Sequence, residues 1–446
     1  MNTPICDFVR AYAESKTLRL HMPGHKGTPL LGMEALDITE ISGADSLYEA
    51  DGIIRESEEN AGALFGAHTF YSTEGSSQCI RAMLYLSVLH AKSTGRRPLI
   101  AAGRNAHKTF LSAAALLDFD IHWLWPGEEE SYLSCGVDVS ALDAELTAMP
   151  EKPVAVYLTS PDYLGNMVDI KRISDVCHRH GSLLLLDNAH GAYLKFLSQS
   201  AHPMDLGADI CCDSAHKTLP VLTGGAYLHI SPAAPAGLAA QAKTALAMFG
   251  STSPSYLILQ SLDAANCYLA DGYAQKLAVL VDEVKRCKER LGKQGYSFSG
   301  NEPIKLTIDA KAYGYGGAEL AQLLRQRNIE CEFADPDFLV LMLTVETGAQ
   351  GLRKMEEALR AIPRKETIAA AAPRLCKPER VMSVREAAFS TAEVIPAAES
   401  CGRVLSAATV GCPPAVPIVV CGERISKEAL ECFTYYGIET CCVVTE

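Results

Sequence analysis

From about residue 98 the chain alternates short apolar runs with stretches of helical spacing, and no other feature limits its fold so tightly. Residues 99–102, 122–124, 154–159, 183–187, 210–213 and 226–230 read as buried strands. Residues 107–117, 139–148 and 170–180 read as helices between several of them. A strand that is apolar on both faces needs cover on both, which crossover helices supply. The expectation is therefore an α/β domain with a mainly parallel sheet. On such sheets ligands lie beyond the C-terminal strand ends, so the polar residues there are the ones to inspect.

After Pro254 the pattern changes to two long helices, 256–269 and 273–294, then a strand at 305–308, a helix at 317–327 and strands near 330–333 and 339–343. This reads as a second, smaller α/β unit. Residues 362–381, rich in Ala, Pro, Lys and Arg, read as a linker. The tail from Ser383 is expected to hold one helix, 384–392, then a Pro-rich loop, 412–417, and an apolar run, 418–421.

Composition narrows the functional classes. With 48% hydrophobic and 21% charged residues the chain has the make-up of a globular protein. Its net charge of −13 disfavours nucleic acid and membrane surfaces as partners, because both are anionic. Asp7, Arg10 and Glu14 interrupt the N-terminal apolar residues, so a signal peptide is not expected, and no run reaches the roughly 20 apolar residues of a membrane span. Sixteen cysteines are scattered through apolar segments without CxxC spacing, which fits buried thiols in a reducing cytoplasm.

The chemical residues gather at strand ends. Asp213-Ser214-Ala215-His216-Lys217-Thr218-Leu219 lies between two apolar strands. A lysine that forms a Schiff base must be held rigidly in surroundings that disfavour its ammonium form, and Lys217 suits that place. By residue type alone the same run also reads as a solvated turn. Asp187 ends the apolar run before it, where a buried carboxylate needs a cationic or hydrogen-bonding partner, such as a protonated pyridine nitrogen. Its other reading is a helix N-cap. Gly75, Ser76 and Ser77 precede the helical pattern 78–90 and could bind a phosphate through backbone amides and hydroxyls, or merely cap the helix. His107 follows a strand and could stack on a planar ring or sit on the surface.

Together these residues resemble the ornithine/lysine/arginine decarboxylase family, of the aspartate-aminotransferase fold type (type I) of pyridoxal-phosphate enzymes. His21-Met22-Pro23-Gly24-His25-Lys26-Gly27 is similar to its H-x-P-G-H-K-x-G stretch, and Asp37-Ile38-Thr39-Glu40 to the segment after it. Glu74-Gly75-Ser76-Ser77 resembles N-G-S/T-S/T, Arg104-Asn105-Ala106-His107-Lys108 resembles R-N-x-H-K, and 159–165 resembles T-S-P-T-Y-x-G. Asp187 with Ala189-His190-Gly191 is similar to D-E-A-H-G, Ser214–Lys217 to S-T-H-K, and Phe249-Gly250-Ser251-Thr252-Ser253-Pro254 to a segment that reaches the neighbouring subunit's cofactor. The tail from Ser383 resembles the small C-terminal domain.

The resemblance implies pyridoxal 5′-phosphate on Lys217, Asp187 paired with its ring nitrogen, His107 stacked on one face and His190 beside the ring. Gly75, Ser76, Ser77, Ser214 and His216 would hold or flank the phosphate, with Ser251 and Thr252 added across a homodimer interface. No metal is implied. Segment 1–45 would contribute to the site, 46–255 would be the cofactor-binding major domain with its mainly parallel seven-stranded-type sheet, 256–365 the helical connection and small α/β domain, and 366–446 the linker and C-terminal domain. The implied activity is decarboxylation of a basic amino acid, arginine before lysine or ornithine, with Lys217 or His216 returning the proton to Cα. Asp162, Glu332 and Asp335 are positional candidates for meeting the substrate's distal cation.

Four departures bear on this. Glu74 stands at the usual Asn, Asn188 at a Glu, Asp162 at a Thr, and Gly224-Gly225 at a Thr-Gln-like pair. An aminotransferase or lyase would use the same cofactor, and a catalytically silent binding protein would keep the fold. His21 and His25 flank Pro23-Gly24 and read as loop residues rather than a metal pair. His178 and His180 suit the C-terminal end of a helix.

Overall fold

Leu183–Asp187 carries four consecutive leucines, and in the computed structural model it is a strand with every residue buried. The structure describes residues 1–127, 130–374, 377–407 and 415–445. The chain divides into two units, Met1–Arg97 with Ile170–Lys276, and Pro98–Asp169 with Leu277–Glu446. Seven strands belong to the large-sheet pattern: β1 (His68–Ser72), β2 (Leu99–Gly103), β3 (Asp120–Leu124), β4 (Ala155–Thr159), β5 (Leu183–Asp187), β6 (Ile210–Asp213) and β7 (Ala226–Ile230).

In the first unit the strand order is β1-β7-β6-β5. β5 and β6 are parallel, with Asp187 opposite Cys212. β7 is antiparallel to both neighbours, pairing Ile230 with Ile210 and with His68. The helix Gly75–Ser93 packs on β6 and β7. In the second unit the order is β4-β2-β3, all parallel, with Leu99 opposite Asp120 and Ile100 opposite Ala155. The two pairings that β7 makes are antiparallel and those within β4-β2-β3 and between β5 and β6 are parallel, so the expected mainly parallel α/β class is what the chain adopts.

The second unit also holds β8 (Phe298–Ser299), β9 (Lys305–Asp309), β10 (Phe333–Ala334) and β11 (Phe338–Met342), antiparallel in the order β10-β11-β9-β8. A two-stranded ribbon joins β12 (Ala392–Pro396) to β13 (Thr440–Val444).

Several boundaries differ from the sequence reading. The helix expected at 78–90 spans Gly75–Ser93, so Gly75, Ser76 and Ser77 form its first turn rather than the loop before it. β1 and the helices Pro4–Glu14 and Ile53–Phe65 precede the region where the alternation is legible. In the tail the helix is Val384–Phe389, and 392–396 is strand because it pairs with Thr440–Val444. Non-local pairing overrides local helical spacing there. A second tail helix, Lys427–Tyr435, begins at Ser426, whose side chain accepts the Ala429 N–H. Residues 418–421 are buried but form no strand, and 412–414 of the Pro-rich loop lie outside the described residues. No helix among the described residues is long and apolar enough to cross a membrane.

Candidate active site

The site residues of the first unit hang from adjacent strand ends. Asp187 closes β5 and is 3% exposed. Its Oδ1 accepts the Ala189 N–H at 3.2 Å and lies 3.7 Å from the Cys212 thiol. Beyond β6 the chain makes one helical turn, Ala215–Thr218, that carries Lys217. The Lys217 Nζ lies 3.0 Å from Nε2 of His190, which is buried. His216 and its backbone N–H both donate to the Gly225 carbonyl, at 3.1 and 3.2 Å, which places a proton on its Nδ1.

The helix Gly75–Ser93 starts beside this turn. Its 19 residues direct a positive dipole end at the first turn. Gly75 has φ +71°, donates its N–H to Gly224 O at 2.7 Å, and a Cβ there would face open space with no atom within 4 Å. Ser214 Oγ donates to Ser76 Oγ at 2.6 Å, so two hydroxyls from different elements converge at that end, with Ser77 next in the turn. The Glu74 carboxylate is bonded to the Ser251 N–H, which engages its charge with the exposed 251–253 loop. Ser251 and Thr252 are exposed there.

The glycine pair has a steric reason. Gly224 has φ +98°, and a Cβ on it would come within 2.8 Å of Thr73 O; on Gly225 it would meet Val221 Cγ1 at 2.2 Å. A side chain at Gly224 would press on the segment that leads into the helix Gly75–Ser93, and one at Gly225 on Val221, just beyond the Lys217 turn.

Asn188 is used as well. Its amide donates to Asp213 Oδ1 at 2.7 Å, tying the end of β5 to the end of β6. Asp213 Oδ2 accepts from His202 at 3.0 Å and His229 at 3.3 Å, all fully buried. Burial opposes the charge on Asp213, but the two histidines outweigh it and hold the carboxyl well below its ordinary range. This network was not legible in the sequence, where His202 and His229 carry no spacing signal. His202, Cys211 and Asp213 are near enough to be metal ligands. However, His202 Nδ1 accepts the Met204 N–H, so its Nε2 bears the proton and is committed to Asp213 rather than to a metal.

His107 belongs to the second unit, where it caps the helix Lys108–Leu117 by accepting the Thr109 N–H at 3.2 Å. Arg104 of the same motif is buried, 2.9 Å from Glu423, with its guanidinium 5.0 Å from the Trp123 ring centroid. The three acidic candidates are each engaged within this unit. Asp162 is buried and accepts the Asn166 N–H and amide, both at 2.9 Å. Glu332 accepts the Tyr163 hydroxyl at 2.8 Å, and Asp335 accepts the N–H groups of Asp337 and Phe338 at 2.8 and 2.7 Å. Burial raises both Asp162 and Asp335, the latter to about 6. Of the lesser histidines, His25 bonds Asp37 at 3.2 Å, and His178 bonds Asp209 at 2.9 Å rather than resting on the helix end alone.

The fold defines the class first: it is that of pyridoxal-phosphate fold type I. The crystal structure of the Francisella novicida lysine decarboxylase LdcF superposes with a TM-score of 0.79 at 16% identity, covering 99% of this chain and 81% of that one. The family model described as Orn/Lys/Arg decarboxylase, major domain, matches residues 3–299. An arginine decarboxylase of Halalkalibacterium halodurans is 30% identical across 96% of this chain and 92% of its own length, and one of Bacillus subtilis is 28% identical across the same shares. The chain belongs to the ornithine/lysine/arginine decarboxylase family. That family implies pyridoxal phosphate, and the residues fit it: a buried carboxylate for a ring cation, an amine for an aldehyde, and an open helix start with converging hydroxyls for a phosphate.

Proposed function

We propose that the chain decarboxylates a basic L-amino acid, arginine before lysine or ornithine, with pyridoxal 5′-phosphate joined to Lys217. The observation that carries this reading is that Asp187 ends β5 while Lys217 lies in the helical turn just beyond its parallel neighbour β6, beside an open helix start. When bound, the cofactor supplies a conjugated ring that takes up the electron pair released at Cα. Asp187 keeps a proton on the ring nitrogen, because a buried carboxylate favours a paired cation. Ser76, Ser77, Ser214 and the first-turn amides beginning at Gly75 bind the phosphate, and the hydroxyl contact between Ser76 and Ser214 supports that reading.

His190 orients the Lys217 amine, to which it lies within hydrogen-bond reach. Lys217, or His216 beside it, returns the proton to Cα after carbon dioxide leaves. The arginine preference rests on the arginine decarboxylases that match nearly the whole chain. The product amine would enter polyamine formation in the cytoplasm.

A homodimer completes the site in this reading, with segment 1–45 and residues Ser251 and Thr252 serving the second copy. Leu18, Leu20, Leu30 and Leu31 are 78–83% exposed, an apolar surface that a second copy would cover. Incubation of the protein, loaded with pyridoxal phosphate, with arginine, lysine and ornithine in turn tests the activity. Stoichiometric carbon dioxide and amine are expected, fastest with arginine; a keto acid without carbon dioxide would indicate transamination instead.

A further inference from the structure

β5 and β6 are neighbours in parallel register, and Cys212 stands opposite Asp187. Residues paired this way project to the same face, so the thiol and the carboxylate meet. The sulfur lies 3.7 Å from Asp187 Oδ1, within the reach of an S–H···O contact, and Cys212 has no exposed surface. Ala189 N–H donates to the same oxygen, at 3.2 Å.

We infer that Cys212 is a positioning residue, whose thiol donates to Oδ1 of Asp187 and, with the Ala189 N–H, sets the rotation of the carboxylate that faces the cofactor ring nitrogen. The role rests on the proposed pairing of Asp187 with that nitrogen. Burial, with Asp187 itself adding to it, pushes the Cys212 thiol well above its ordinary range, so sulfur keeps its proton and acts as donor. The other titratable groups that act on Cys212 are Cys79 from the helix Gly75–Ser93 and Cys211 and Asp213 from β6. Burial keeps both of those cysteines protonated, and Asp213 is committed to His202, His229 and Asn188. A thiol is also a weak donor, which orients the carboxylate while leaving most of its charge to hold a ring proton.

Two measurements test this, one of them without cofactor. In cofactor-free protein the infrared S–H stretching band lost in Cys212→Ala should move to higher frequency in Asp187→Ala; an unmoved band would show that no thiol–carboxylate bond exists. In loaded protein, Cys212→Ala should release pyridoxal phosphate about two- to five-fold faster than wild type, the effect of one weak bond. Cys212→Ser, which keeps a donor, should stay within about two-fold of wild type. Release from Cys212→Ala at the wild-type rate, or equally fast release from both variants, would overturn the positioning role. If wild-type protein itself never acquires a visible cofactor band, the functional reading fails and the role falls with it, while the infrared result still reports on the bond.

Discussion

At the scale of single residues, Lys217 is the group on which the proposed chemistry turns. Lys217→Ala should abolish the visible band of the lysine-bound cofactor and lower decarboxylation by roughly 10²–10⁴-fold, as removal of an essential proton-transfer group does. Retention of the band would place the attachment elsewhere. Asp335 offers a test of a different kind. Burial raises its carboxyl from 3.8 to about 6, so folding favours the protonated form. Its contribution to stability is therefore complete below 3.8 and lost as pH rises through about 6. Asp335→Asn cannot ionise, so denaturant unfolding should show it gaining on wild type between about pH 4 and about pH 8, by at most about 3 kcal/mol. A pH-independent difference would mean that this carboxyl titrates normally.

At the scale of elements, glycine decides how closely the segment after the Lys217 turn approaches the lead into the helix Gly75–Ser93. Gly224→Ala places a methyl 2.8 Å from the Thr73 carbonyl at positive φ, and should destabilise the protein by about 2–3 kcal/mol in thermal or denaturant unfolding. Gly75→Ala meets no atom, so it should cost only about 1 kcal/mol, from its backbone conformation, while its methyl weakens cofactor phosphate binding. Equal effects of the two would contradict the packing described. Helix Val139–Ala148 was legible to the residue because its signals are local: Asp138 accepts the Ala141 N–H as an N-cap, and Leu142 and Leu146 share the buried face. The stretch after Phe389 was not, because its strand exists only through pairing with residues some 50 positions away.

At the scale of the whole molecule, the exposed leucines of the N-terminal segment carry the argument for a second copy. Leu20→Asp combined with Leu31→Asp changes side chains that are both 83% exposed and should leave the fold of the single chain intact. In sedimentation the variant is expected to shift from dimer towards monomer, with a loss of activity if Ser251 and Thr252 serve the neighbouring site. An unchanged mass would remove this surface from the interface.

By itself the sequence determined the α/β class and the strand-end positions of Asp187 and Lys217, because apolar runs, helical spacing and their interruption by polar residues are properties of neighbouring positions. Only the tertiary structure decided that Asn188 donates to Asp213, that His202 and His229 share that carboxylate, that Glu74 engages Ser251, and that Cys212 meets Asp187. Those contacts depend on strand register and on close approach between segments distant in the chain, and hydrophobic periodicity encodes neither.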